Sequence, residues 1–192
     1  DATAQPEVDA ITSATSRPNQ VSFNGRIVLP PQRQATVALT IGGVIKNTSL
    51  LPGQHVTKNS VIATLENPEF ITLQQTYLDS HAQTEYLRME YERQKNLSAE
   101  QAASQKKFQQ SKADYLSMKS RQDAAAAQLS LLGVNPETLL RDGIQPLLEV
   151  KAPISGYVVN VAMNMGKYIN PGEALCEVID KSAPMLCLTR SE

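Results

Sequence analysis

The sequence predicts an α+β protein, a small β-sandwich whose two halves are separated along the chain by a long antiparallel helical hairpin. Two observations predict this fold. Residues 68–132 carry a seam at alternating spacings of three and four, and the pattern of residues 43–67 returns at residues 156–180. A segment of about 25 residues is too short to bury a core by itself, so the two copies are expected to face each other. The hairpin is therefore predicted to be an insertion within one domain.

The hairpin seam repeats every 3.5 residues on two consecutive segments, which is typical of an antiparallel coiled coil. The expected seam residues are Phe70, Leu73, Tyr77, Ser80, Thr84, Leu87 and Tyr91 in the first arm, and Ser104, Phe108, Ser111, Tyr115, Met118, Gln122, Ala125, Leu129 and Leu132 in the second. Neither arm has an internal glycine or proline, so each is expected to run uninterrupted for roughly 45 Å. A helical pair buried in a larger domain is the alternative, but the polar outer faces favour a projecting hairpin.

An offset of 113 residues superimposes the two repeats. It places Gly43 on Gly156 and Gly53 on Gly166, and each copy reads as short strands divided by turn residues. The two copies are therefore expected to form equivalent halves of one sandwich.

The segments around these repeats complete the predicted domain organisation. The expected parts are a mobile lead-in at 1–20, partial β-barrel strands at 21–38 and 183–192, the sandwich at 39–67 and 147–182, the hairpin at 68–132, and a short helix with its connector at 133–146. Asn135 and Pro136 have the types of an N-cap and a first helical residue for that short helix. The last apolar run reads as a strand whose sheet is missing, so the sequence is expected to be a fragment of a longer protein.

Composition excludes several classes of function. The formal net charge of the 192 residues is -1 and no lysine and arginine cluster occurs, which gives no electrostatic basis for nucleic-acid binding. No apolar run approaches the roughly 20 residues of a membrane span.

The sulfur-containing side chains are predicted to be core residues rather than metal ligands. Cys176 and Cys187 lack histidine or cysteine neighbours at ligand spacing, so we expect small buried hydrophobes. Met163 and Met165 have thioethers suited to Cu(I). Alternation in a strand would direct both toward the same face, the sandwich core, and no third soft ligand is near them in sequence. The sequence therefore predicts no metal site.

The ordered set of half-motifs resembles the periplasmic adaptor, or membrane fusion, subunits of tripartite RND-type efflux pumps. The halves resemble the lipoyl/biotinyl fold, or barrel-sandwich hybrid, through residues 43–45 and 52–56 in the first copy, and residues 152–158, 166–169 and 171–172 in the second. Leu132-Gly133-Val134 and the following short helix resemble the heavy-metal or cation efflux branch.

This resemblance implies a non-catalytic protein without a cofactor that links an inner-membrane transporter to a TolC-like outer-membrane channel. It also implies a periplasmic location, self-association into a ring of six, and anchoring to the inner membrane by an N-terminal lipid or span absent from this sequence.

The hairpin tip carries a second match to the family. Adaptors that dock on channels of the TolC type have an Arg-x3-Leu-x6-Ser pattern, and Arg93, Leu97 and Ser104 stand at that spacing. The resemblance implies that these residues dock on the channel, with Ser104 as the N-cap of the second helix. The family often has a glycine where Gln101 stands, and Ser98 with Gln101 also forms a capping-box pattern that would start the second helix earlier.

Three other functions remain as alternatives to the RND-type adaptor. An adaptor of a type I secretion or ABC-type exporter would have the same parts. A lipoyl or biotinyl carrier would need a lysine at the join between the half-motifs, where this chain has the helical insertion. An enzyme is not expected, because His55 and His81 have no nucleophile pattern near them.

Overall fold

The structure, a computed structural model, describes residues 24–28, 30–100, 105–182 and 185–189. The strands are β1 (Asn24–Val28), β2 (Gln34–Ala38), β3 (Gly43–Thr48), β4 (His55–Val56), β5 (Val61–Glu66), β6 (Leu148–Lys151), β7 (Gly156–Val159), β8 (Tyr168–Ile169), β9 (Ala174–Ile179) and β10 (Met185–Thr189). The helices are α1 (Pro68–Glu100), α2 (Gln105–Leu131) and α3 (Pro136–Asp142), and a short 3-10 helix covers Pro31–Arg33.

The chain divides into two compact units. In the first, β1 pairs antiparallel with β10, from Asn24 opposite Thr189 to Val28 opposite Met185. The second unit spans residues 29–183 and contains the sandwich, the hairpin and α3.

The sandwich consists of two four-stranded sheets with the strand orders β2-β9-β7-β4 and β6-β5-β3-β8. The two-residue strand at the edge of each sheet pairs with a strand from the opposite half of the chain. β4 of the first half pairs with β7 of the second, and β8 of the second half pairs with β3 of the first. The two halves are thus joined by backbone hydrogen bonds as well as by the core between the sheets.

The repeat in the sequence is a repeat in the structure. β3, β4 and β5 begin at residues 43, 55 and 61, and β7, β8 and β9 begin at residues 156, 168 and 174, so all three pairs keep the offset of 113. The contacts between the halves repeat too. The N–H of Gly53 donates to the carbonyl of Val158 at 2.7 Å, and the N–H of Gly166 donates to the carbonyl of Ile45 at 2.8 Å. The predicted α+β fold, a barrel-sandwich hybrid split by a helical hairpin, is confirmed.

The core fills the space between the two sheets and continues into the root of the hairpin. β3, β5, β7 and β9 each contribute two or three buried residues to this core, alternating in β3 and β7 and including one consecutive pair in β5 and in β9. The buried set includes Ile45, Leu65, Val158, Leu175 and Val178 from the sheets and Phe70, Leu129 and Leu139 from the helices. Burial of such side chains stabilises the fold by roughly 1.5–3 kcal/mol each.

The grouping of β2 with the barrel strands was wrong. Residues 34–38 pair with β9 from Gln34 opposite Ile179 to Ala38 opposite Ala174, which places them in the sandwich. An alternating, β-branched strand fits either sheet equally well, so composition could not assign it.

The expectation that both methionines pack in the core was also wrong for Met165. β7 ends at Val159, Asn160 takes a φ of 52°, and Met165 lies in a turn, so strand alternation does not apply between residues 160 and 167. Met163 is buried, whereas Met165 is exposed.

The predicted short helix is present as α3. The side chain of Asn135 accepts a hydrogen bond from the N–H of Glu137 at 3.0 Å, and Pro136 is the first helical residue. Gly133 precedes this helix with a φ of 76°, a conformation that glycine adopts without strain.

Candidate docking site at the hairpin tip

The first helix of the hairpin begins at a cap that also fastens it to the sandwich. Asn67 accepts a hydrogen bond from the N–H of Glu69 at 2.7 Å, and its Nδ2 donates to the carbonyl of Gly42 at 2.6 Å. Pro68 and Glu69 follow as residue types that favour a helix N-terminus. One buried amide therefore both starts the helix and ties it to the segment before β3.

The seam between α1 and α2 contains the residues that the spacing predicted. Phe70, Tyr77, Ser80 and Thr84 are buried on α1, as are Ser111, Ala125 and Leu129 on α2. Gln74 is fully buried as well, and its burial was not predicted from the sequence. A polar residue beside a seam position carries no hydrophobic signal, and its partner, Gln145, is 71 residues away along the chain.

Two polar side chains of the seam form hydrogen bonds within their own helices, whereas the buried Oγ1 of Thr84 has no hydrogen-bond partner in the described part of the chain. Ser80 Oγ donates to the carbonyl of Thr76 at 2.6 Å, and Ser111 Oγ donates to the carbonyl of Phe108 at 2.8 Å. Because these two hydroxyls are satisfied locally, the two serines cost the seam little, whereas the unsatisfied hydroxyl of Thr84 costs more.

An aromatic stack closes the hairpin toward its tip. The ring of Tyr91 stacks on Phe108 with centroids 5.6 Å apart, and on Tyr115 with centroids 5.7 Å apart. Both pairs lie in the 4.5–7 Å range of favourable aromatic contacts. This stack holds the two helices together shortly before the tip residues.

Arg93 and Leu97 lie on the last two turns of α1, on one face of the helix because they are four residues apart. The Arg93 side chain is 64% exposed and forms an ion pair with Glu90 on the preceding turn. Leu97 is 47% exposed. An apolar side chain and a guanidinium group are thus presented together to solvent.

The turn itself is only partly described. Ser104 and Gln101 lie outside the described residues, so the structure does not place Ser104 relative to Arg93 and Leu97. The alternative N-cap at Ser98 was wrong. Ser98 lies inside α1, and its Oγ donates to the carbonyl of Lys95 at 3.0 Å.

Two further residues, not predicted from the sequence, share the face of Arg93 and Leu97. Tyr86 and Met89 are each 62% exposed and, with Arg93 and Leu97, follow spacings of three, four and four. This outer stripe (Tyr86, Met89, Arg93 and Leu97) lies roughly opposite the seam when turned at 100° per residue. This outer stripe could have been recognised in the sequence, because its members repeat at spacings of three and four on the face opposite the seam.

The histidines and the described cysteine, residue types that often act in catalysis, make packing and seam contacts in this structure. The ring of His55 packs edge-on against Tyr157 with centroids 5.1 Å apart, and His81 Nδ1 lies 3.0 Å from Gln122 Nε2 in the seam. Cys176 is buried as predicted, and burial raises the pKa of its thiol to about 11, so it stays protonated near neutral pH. Cys187 has no described side chain.

The described ranges contain neither a cluster of metal-ligating side chains nor a helix able to span a membrane. Between residues 30 and 182, with the gap at 101–104, histidine, cysteine and carboxylate groups form no cluster of three that could hold a metal ion. Over the part of the chain that the structure describes, no helix has both the length and the apolar character of a membrane span.

Comparison with known proteins assigns the family. Residues 33–180 match the family described as CzcB-like, barrel-sandwich hybrid domain. No curated protein matches the chain in sequence.

Two solved structures share the fold. ZneB from Cupriavidus metallidurans is 25% identical with a TM-score of 0.55, over 85% of this chain and 67% of that one. A MacA-MexA chimera that contains the Pseudomonas aeruginosa MexA α-hairpin domain is 22% identical with a TM-score of 0.62, over 88% of this chain and 54% of that one. This chain thus spans about two thirds of the first and about half of the second.

The resemblance to periplasmic adaptors is therefore confirmed, including the heavy-metal branch. The chain belongs to the CzcB-like barrel-sandwich hybrid family of membrane fusion, or periplasmic adaptor, proteins of RND-type efflux pumps.

Proposed function

We propose that this chain is the hairpin-bearing part of an adaptor that links an inner-membrane efflux transporter to a TolC-like outer-membrane channel. The family is one of non-catalytic efflux adaptors. The observation that carries the proposal is the pairing of exposed Leu97 with Arg93 near the end of a 33-residue helix. At about 1.5 Å per residue, this helix places them on the order of 45 Å from its start in the sandwich.

The two side chains suit a protein surface made of helix ends or turns. Covering the exposed half of Leu97 would contribute about 1 kcal/mol per copy, since full burial of leucine is worth roughly 1.5–3 kcal/mol. Arg93 can exchange its ion pair with Glu90 for bonds to carbonyl groups of the partner, because its guanidinium offers five donors. A ring of copies would repeat this small contribution around the channel.

The remaining parts of the proposal follow the family resemblance. Copies assemble side by side into a ring of six, and the full-length protein lies in the periplasm with an N-terminal lipid or span in the inner membrane. The chain acts without catalysis, a cofactor or a resident metal.

The test is efflux-dependent resistance in cells that carry the full-length protein, together with capture of the outer-membrane channel on the purified adaptor. We expect Leu97→Asp and Arg93→Asp to lower resistance to the level of cells without the adaptor and to abolish capture. Ser104→Ala should act more weakly, because loss of an N-cap costs only about 1 kcal/mol of local helix stability.

Leu116→Asp provides the matched control. Leu116 is 50% exposed on α2, close to the exposure of Leu97, but lies on the order of 15 Å along the helix from its tip end. It should retain resistance and capture. Wild-type resistance in both tip variants, with unfolding temperatures unchanged throughout, would exclude tip docking.

A carrier function is not favoured. β5 ends at Glu66, and only Asn67 separates it from Pro68 of α1, so no lysine stands at the join. An intact-mass measurement that revealed a lipoyl or biotinyl adduct would reverse this conclusion. An ABC-type or type I partner in place of the RND transporter would give the same tip phenotype but a different inner-membrane protein on capture.

A further inference from the structure

We infer that Gln74 sets the direction of the hairpin relative to the sandwich. Its side chain does so by forming hydrogen bonds to the backbone of Gln145, in the connector between α3 and β6. Gln74 is 0% exposed, which is unusual for a glutamine. Its Oε1 accepts from the N–H of Gln145 at 2.7 Å, and its Nε2 donates to the carbonyl of Gln145 at 2.9 Å. The amide thus contacts both backbone groups of Gln145, as a neighbouring strand would.

The remaining donor of this amide is used inside the helix. Nε2 also donates to the carbonyl of Phe70, one turn earlier, at 3.2 Å. Both N–H groups of Nε2 therefore have acceptors, and Oε1 has a donor. An amide side chain offers a donor and an acceptor side by side at any pH, and loss of either would leave a backbone group of Gln145 without this partner.

Because of the position of Gln145, these hydrogen bonds restrict the direction of α1 relative to the sandwich. Gln145 lies three residues before Leu148, the first residue of β6, and Leu148 is paired with Leu65 of β5. β5 in turn leads through Asn67 into α1. α1 and the connector therefore adjoin β5 and β6, which are neighbouring strands of one sheet. Outside the sheet, the hydrogen bonds of Gln74 link α1 to the connector a second time.

Two fixed points define the direction of the helix. Asn67 fastens its first turn to Gly42, and Gln74 fastens it again seven residues later, about 10 Å along the axis. With Gln74 released, α1 would keep only the attachment at Asn67 and its apolar packing. A shift of about 3 Å at residue 74 would be magnified about fivefold along the 33 residues of α1, to about 15 Å at its far end.

The test is the distribution of distances between the sandwich and the far end of the hairpin. Spin labels are attached through an introduced keto amino acid, which avoids the native thiols, at Asn96 and, in separate samples, at Thr36 or Lys58. All three positions are exposed. Pulsed electron–electron double resonance on the purified chain reports the distances, so the result does not depend on what the tip binds.

We expect Gln74→Met, which keeps the side-chain length but not the hydrogen bonds, to broaden or shift the distribution by several ångströms or more. Gln75→Met at the exposed neighbouring position should leave it narrow. Phe70→Leu, which removes core packing at the same root but no hydrogen bond, should lower the unfolding temperature without widening the distribution. A Gln74→Met distribution as narrow as that of Gln75→Met would overturn the inference.

Gln74→Glu gives a second measurement in the same position. A protonated carboxyl can donate to the carbonyl of Gln145 and accept from its N–H, whereas a carboxylate can only accept. Because burial raises the pKa of a carboxyl group, the distribution should be broad at alkaline pH, where the carboxyl is ionised, and should narrow toward the wild-type width as the pH falls, relative to the wild type at each pH. A width independent of pH, or narrowing equally in the wild type, would contradict the inference even if Gln74→Met failed to fold.

Discussion

Gly43 and Gly156 occupy equivalent places in the two halves, and at both the backbone of a neighbouring strand leaves no room for a side chain. A Cβ atom on Gly156 would lie 2.4 Å from the carbonyl oxygen of Ile179, and one on Gly43 would lie 2.7 Å from that of Glu66. Ile179 and Glu66 are themselves 113 residues apart. The glycine that opens each repeat is therefore explained by the close approach of two strands.

We predict that Gly156→Ala destabilises the sandwich by about 2 kcal/mol or more, because the backbone oxygen of Ile179 cannot move away as a flexible side chain would. Gly53→Ala is the comparison. Gly53 has open space around it and a φ of 83°, so alanine there meets only backbone strain of roughly 1–2 kcal/mol. Urea unfolding of both variants measures the difference. A Gly156→Ala variant as stable as the wild type would contradict the close approach.

Single residues also show where sequence reasoning succeeds and fails. Cys176 was predicted to be buried and is. Arg93 and Leu97, singled out by their match to the family's tip pattern, are exposed, and their docking role stays a prediction. Gln74 was missed because the contact that buries it is to a backbone group far along the chain. Met165 was misplaced because strand alternation holds only while the strand continues, and the strand ends at Val159.

At the scale of the element, the hairpin combines a weak, polar middle with two stronger ends. Phe70, Tyr77, Leu129 and Leu132 pack at the root, whereas Ser80 and Thr84 occupy the middle. Near the far end, Tyr91 of α1 stacks on Phe108 and Tyr115 of α2. The seam could be predicted from spacing, because a coiled coil needs only small or apolar residues at the right period.

We predict that Tyr91→Ala loosens the far end of the hairpin without unfolding the sandwich. Each aromatic pair contributes roughly 0.5–1.5 kcal/mol beyond its buried area, and Tyr91 makes two of them. Amide hydrogen exchange should therefore accelerate by about tenfold or more near residues 91 and 108–115, and remain unchanged in β3, β5, β7 and β9.

Tyr86→Ala is the control for this variant, since Tyr86 is a tyrosine of the same helix on the outer stripe. It should leave exchange in the hairpin as in the wild type. Equal acceleration in the two variants would show that the stack does not hold the helices together.

At the scale of the whole molecule, the sequence predicted the division into two halves. It did not predict that each half contributes an edge strand to the sheet of the other. The offset of 113 residues predicted the halves because glycines and turn residues repeat with it. β4 and β8 are two residues long, so their alternation is too short to indicate which sheet they join. Their pairing is decided by tertiary contacts such as those of Gly53 and Gly166 with the opposite half.

We predict that the stability of the sandwich does not depend on the length of the hairpin. Every strand of the two sheets lies outside residues 68–131, and the hairpin residues in the core lie at the root, as Phe70, Tyr77, Ala125, Leu129 and Leu132. His81 faces Gln122, and Tyr91 faces residues 108 and 115, so the seam can be shortened equally on both arms.

Removal of residues 81–94 from α1 and residues 109–122 from α2 takes two heptads from each arm and keeps the seam in register. We expect the shortened protein to unfold cooperatively within a few degrees of the wild type, because no core residue of the sandwich or root is lost. Calorimetry measures this, and removal of residues 81–94 alone, which leaves about two heptads of α2 without a partner helix, should increase amide exchange in that part of α2. If the matched deletion also abolished the cooperative transition, the shaft of the hairpin would be part of the folding unit of the sandwich, because packing at the root would then be insufficient to hold the two halves together.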